Sequence, residues 1–83
     1  MARLFYLNRR GHTEVAWDVE RAHAGDAEAL AAVAEAERLL AEAIDTGYAA
    51  FAIRGGTVTR RLHTLDSLGM GEDIMLVPPV AGG

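Results

Sequence analysis

The sequence predicts an α+β fold in which two strands, one long helix and three further strands follow in the order ββαβββ. Three observations predict it. A single stretch rich in Ala, Glu and Leu, from Asp26 to about Thr46, is composed of strong helix formers. Segments of alternating polarity precede and follow it. Near the end lies an unbroken apolar run, Ile74-Met75-Leu76-Val77, of the kind found in a central strand covered or partly covered on both faces.

The first strand is read at Arg3–Leu7, with Phe5 and Leu7 on one side and Leu4 and Tyr6 on the other. A turn at residues 8–12 leads into Thr13–Asp18, where Val15 and Trp17 share a face, so the two strands form a hairpin. Val19–Gly25 is polar and weakly patterned and reads as a connection. Asp26 supplies an N-cap and Glu28 an acidic first turn. Leu30, Val33, Leu40 and Ile44 form the expected buried stripe, with Glu35, Arg38 and Glu42 opposite and Gly47 as the C-terminal stop. Tyr48–Arg54 alternates again, with Ala49, Phe51 and Ile53 on one face and Tyr48, Ala50 and Ala52 on the other. Gly55-Gly56 is a two-residue hairpin turn of the primed type. In Thr57–His63, Arg60 falls on the same side as Val58 and Leu62, which calls for a bulge or an edge position. Leu65–Gly71 reads as a turn segment with about one helical turn, and Pro78-Pro79 ends the final strand.

This order describes a β-grasp. Residues 1–77 form one domain, and residues 78–83 an extended tail, Pro-Pro-Val-Ala-Gly-Gly. The central pair is expected to be the first and last strands, adjacent and parallel. The helix stripe is expected to meet Phe5, Leu7, Val15, Trp17, Phe51, Ile53, Val58, Leu62, Ile74 and Leu76. The opposite face would then present Leu4, Tyr6, Ala50, Ala52 and either Met75 or Val77, beside Arg3, Arg54 and Arg60 or Arg61, as a surface for a partner.

Composition narrows the chemistry. With 83 residues there is room for one small core. The chain has no cysteine, so it holds no disulfide, thiolate metal site or thiol nucleophile. His12, His23 and His63 lack metal-ligand spacing, and no metal site is expected. A net charge of −4 argues against nucleic acid as a partner. No apolar run reaches the roughly 18 residues of a membrane span, and the N-terminal apolar stretch is too short for a signal peptide, so a cytoplasmic location is expected. All eight basic residues are arginine. Without lysine, no side chain here can accept an isopeptide bond. No nucleophile and acid/base set converges, so the chain is not read as an enzyme.

The tail carries the clearest chemical signal. Six residues reach about 20 Å when extended. The prolines stiffen the exit, and the terminal glycines, lacking Cβ, suit a narrow channel. The segment Gly71-Glu72-Asp73-Ile74-Met75-Leu76-Val77-Pro78-Pro79-Val80-Ala81-Gly82-Gly83 resembles the C-terminal end of the molybdopterin synthase small subunit. The wider ubiquitin-like group includes the thiamine-pathway sulfur carrier and the small archaeal modifiers. The resemblance implies that Gly83 is adenylated by an E1-like partner, which binds the ATP, with Gly82 beside it and Pro78, Pro79, Val80 and Ala81 forming the threaded arm. The product would be a thiocarboxylate or an isopeptide conjugate. The alternative is a non-catalytic structural or interaction module of a large assembly, such as a viral one, that uses the β-grasp for docking.

Overall fold

The computed structural model describes residues 1–8, 11–69 and 71–79. The strands are β1 (Ala2–Asn8), β2 (Gly11–Trp17), β3 (Ala49–Arg54), β4 (Thr57–Leu62) and β5 (Asp73–Val77). A short helix α1 (Val19–His23) and a long helix α2 (Ala27–Asp45) lie between β2 and β3, and a 3-10 turn at Leu65–Ser67 precedes β5. The sheet is mixed, in the order β2-β1-β5-β3-β4. β1 and β5 are parallel neighbours, as expected, and the other pairings are antiparallel. One long helix on a five-stranded mixed sheet with the last strand in the middle is a β-grasp-like α+β fold.

Local signals in the sequence explain the elements well. The Asp26 carboxylate accepts the Ala29 amide at 3.0 Å, so it caps α2 as expected. The other end closes in a Schellman arrangement. Tyr48 N–H donates to the Ala43 carbonyl at 2.9 Å and Gly47 N–H to Ile44 at 3.1 Å, with Gly47 at φ +93°. Arg38 bridges Glu35 at 2.6 Å and Glu42 at 3.5 Å on the solvent side. Gly55 and Gly56 both have positive φ, which makes the β3–β4 turn the primed type. The β3–β4 ladder slips between Ala52 and Ile53, so both the bulge and the edge position of β4 are present.

Three expectations are corrected. Val19–Gly25 is not a plain connection: Val19–His23 forms α1, capped by the Asp18 carboxylate on the Arg21 amide at 3.2 Å. Five residues are too few to show a helical period in sequence, and a side-chain cap makes the turn. The buried stripe of α2 is also rotated. Ala29, Ala36, Leu39, Leu40 and Ala43 are buried, while Leu30 and Ile44 stand exposed. Leu40, and Val33 at the core's margin, hold their expected places.

The third correction concerns strand parity. Leu4, Tyr6, Ala50 and Ala52 lie in the core beneath the helix, together with Trp17, Leu62, Ile74 and Leu76. They do not form a partner face. Phe5, Leu7, Phe51, Ile53 and Val58 are on the other side. The cause in β1 is register: Leu4 stands opposite Val15 and Ala2 opposite Trp17, and cross-strand partners share a face. A register one residue different would have exchanged the two faces. The cause in β3 is again register: Ala50 stands opposite Leu76 and Ala52 opposite Ile74, and both alanines join Ala36 and Ala43 of α2 in one cluster. Val58 is carried to the open side by the bulge, opposite Ile53, which leaves Arg60 and Leu62 facing inward.

Candidate functional site: the strand that feeds the tail

β5 is the strand that runs into Pro78 and Pro79. Ile74 and Leu76 point into the core and are fully buried. Met75 and Val77 point to the open face, Met75 at 38% exposure. β1 holds the strand on one side through Leu4, Phe5 and Tyr6, and β3 holds it on the other from Ala49 to Ile53. A strand bonded along both edges cannot move without breaking two ladders, so β5 is held firmly up to the prolines.

Beyond Val77, Pro78 and Pro79 are exposed. Pro79 passes the α2–β3 turn, close enough that a Cβ built on Gly47 would stand 3.8 Å from its ring. Val80, Ala81, Gly82 and Gly83, the threaded part of the expected tail and its activated end, lie outside the described residues.

The segment before β5 is fixed by an ion pair between the buried Glu72 and the half-exposed Arg60, which the residue pattern alone did not single out. Glu72 is only 2% exposed. Its carboxylate accepts from Arg60 Nη1 at 2.8 Å, from the Thr59 hydroxyl at 2.6 Å and from the Gly69 amide at 2.6 Å. Arg60 also donates to the Ser67 carbonyl. These bonds tie the loop before β5 to the edge strand β4. The Arg60 bond first, then Thr59 and the Gly69 amide, hold the Glu72 carboxyl at about 2, far below its ordinary 4.5. Gly69 is required by closeness: a Cβ there would fall 2.9 Å from Glu72 Oε1. One signal in the sequence points to this pair. Arg60 takes an inward position in β4, and an inward charge needs a partner.

Arg54, expected beside a partner face, is exposed at the end of β3, with its guanidinium 3.8 Å from the Cβ position of Gly69, next to the Glu72 clip. Tyr6 is committed to the core. It packs edge-on against Tyr48 with ring centroids 5.2 Å apart, and burial, followed by Tyr48 and Glu42, pushes its phenol above the ordinary value.

Two titratable side chains near the start of β5 have structural duties. A cleft of about 320 Å³ between α1 and the loop before β5 contains Asp18, Glu20, His23 and Glu72. Asp18 caps α1, and the Glu72 carboxylate is occupied by Arg60 and Thr59. No group of three His, Cys, Asp or Glu suited to a metal ion occurs among the described residues. No described helix is long and apolar enough to cross a membrane. Compared with known proteins, the chain matches no protein-family profile, no curated protein and no solved structure.

Proposed function

We propose that this chain is a ubiquitin-like sulfur carrier or protein modifier acting through the carboxylate of Gly83, whether Gly83 is the last residue as synthesised or is exposed by cleavage. The observation that supports this reading is the position of β5. The central strand of a β-grasp-like sheet, bonded on both edges, runs directly into Pro78-Pro79 and the diglycine sequence. A rigid base and a slender arm suit delivery of a carboxylate into another protein's active site.

In the proposed reaction an E1-like partner binds ATP. A carboxylate oxygen of Gly83 attacks the α-phosphorus, and pyrophosphate leaves. The resulting acyl adenylate is then opened by hydrosulfide, leaving a terminal thiocarboxylate, or by the neutral amine of a lysine on an acceptor, leaving an isopeptide bond and a released proton, with AMP as leaving group in either case. The chain itself contributes no lysine, so it would serve as donor only.

The test is pyrophosphate exchange with E1-like enzymes of the same genome. The intact chain should support exchange. A chain lacking Gly82 and Gly83 should not, because its carboxylate ends about 7 Å short. Mass spectrometry of protein from its native cell should show either the exchange of oxygen for sulfur at the terminus or a covalent conjugate. If the shortened chain keeps its cellular role, the reading fails and a structural docking module replaces it.

A further inference from the structure

The face of the sheet opposite α2 is covered by no described element, and its residues form an ordered pattern. Across its middle runs one residue from each strand: Glu14, Phe5, Met75, Phe51 and Arg61. The row is acidic at the β2 edge, basic at the β4 edge and apolar between, with Met75 at its centre. Toward the end of β5, Ala49 stands beside Val77, and Leu7 lies on the β1 side at 51% exposure. Glu14 and Arg61 are exposed, and neither has an ion-pair partner among the described residues.

We propose that this face binds a second copy of the chain, forming an isologous dimer whose two-fold axis runs parallel to β5. The row from Glu14 to Arg61 is self-complementary under that rotation. With two sheets packed face to face at about 10 Å, Met75 meets its own copy on the axis. Phe5 lies over the partner's Phe51, and Leu7 over the small Ala49. At the two rims Glu14 lies over Arg61, twice by symmetry. A two-fold axis perpendicular to β5 and passing through this row would set Glu14 on Glu14 and Arg61 on Arg61, and like charges oppose that arrangement. The charges of this row therefore favour a second copy in the first orientation. An apolar sheet face left open on a monomer is unusual and is accounted for by this pairing. Both copies of β5 would point the same way, so the two Pro78-Pro79 segments lie at one end of the dimer. The inference goes beyond the carboxylate chemistry and does not rest on it.

Sedimentation equilibrium of the full chain over a wide concentration range tests it. The expected result is reversible conversion between the 8.9 kDa monomer and a species of twice that mass. Met75→Lys should leave only monomer, with an unchanged far-UV spectrum. Glu14→Arg alone, or Arg61→Glu alone, should weaken the dimer by about tenfold or more, and the double variant Glu14→Arg/Arg61→Glu should recover to within roughly threefold of the original. Both charge positions are exposed edge sites, so these variants decide the matter even if Met75→Lys fails to fold. A chain that stays monomeric throughout, or a double variant that does not recover, overturns the proposal. Pyrophosphate exchange is read separately, so either idea can fall without the other.

Discussion

The two faces of the sheet differ in an unexpected direction. The covered face carries Leu4, Tyr6, Ala50, Ala52, Ile74 and Leu76, and the open face carries Phe5, Leu7, Phe51, Ile53, Met75 and Val77. Side-chain bulk would favour burying the second set. The protein buries the first because strand pairing sets the faces: Leu4 stands opposite Val15 and Ala2 opposite Trp17, and Ala50 and Ala52 stand opposite Leu76 and Ile74 in one cluster with α2. Apolarity alone therefore does not select the buried face. Strand register does, and the larger side chains left outside become available to another molecule.

The comparison can be broken most directly on the covered side. Leu4→Ala and Leu40→Ala should each cost about 2–5 kcal/mol in chemical denaturation, enough to endanger a domain of this size. Tyr6→Glu should unfold the chain rather than disturb a surface. A stable, well-folded Tyr6→Glu protein would show that the faces have been assigned the wrong way round.

Glu72 gives the next test, on a boundary between the two faces. Its folded carboxyl titrates at about 2 against an ordinary 4.5. A depressed folded value means the contribution is fully present above about 4.5 and is lost as pH falls toward 2. Thermal unfolding between those limits should therefore show the native chain losing stability. Glu72→Gln should start lower at neutral pH and fall less over the same window. Identical pH profiles would mean that the clip to Arg60 contributes nothing to stability.

Gly47→Ala should cost roughly 1 kcal/mol, because its φ of +93° strains any side chain, even though Pro79 leaves room for a Cβ. The smallest effect should come from the open face. Leu7→Ala, in dilute monomer, should change stability by no more than about 0.5 kcal/mol. A loss comparable to that of Leu4→Ala would erase the distinction between the faces.

Much of this architecture was legible in the residues themselves. Asp26 as cap, Gly47 as stop, the primed turn at Gly55-Gly56, the bulge implied by Arg60 and the central place of Ile74–Val77 all follow from local chemistry, which acts within a few residues and leaves marks at fixed spacing. The diglycine tail belongs to the same class of signal, although its last residues lie outside those described. The Glu72–Arg60 pair spans a separation of 12 residues and leaves only one half of a clue, an inward arginine without a named partner.

What only the tertiary structure decided was the choice of face. β1 reads Leu4-Phe5-Tyr6-Leu7, apolar at both parities, and β3 alternates alanine with larger apolar residues. Neither strand states which side the helix will take. That choice was made by the hairpin register, which set Leu4 opposite Val15, and by the pairing of β3 with β5, which set Ala50 opposite Leu76 and Ala52 opposite Ile74 beneath α2. Local propensity is additive along the chain, whereas packing is a fit between surfaces brought together by folding, and the composition of one surface does not specify the shape of the other.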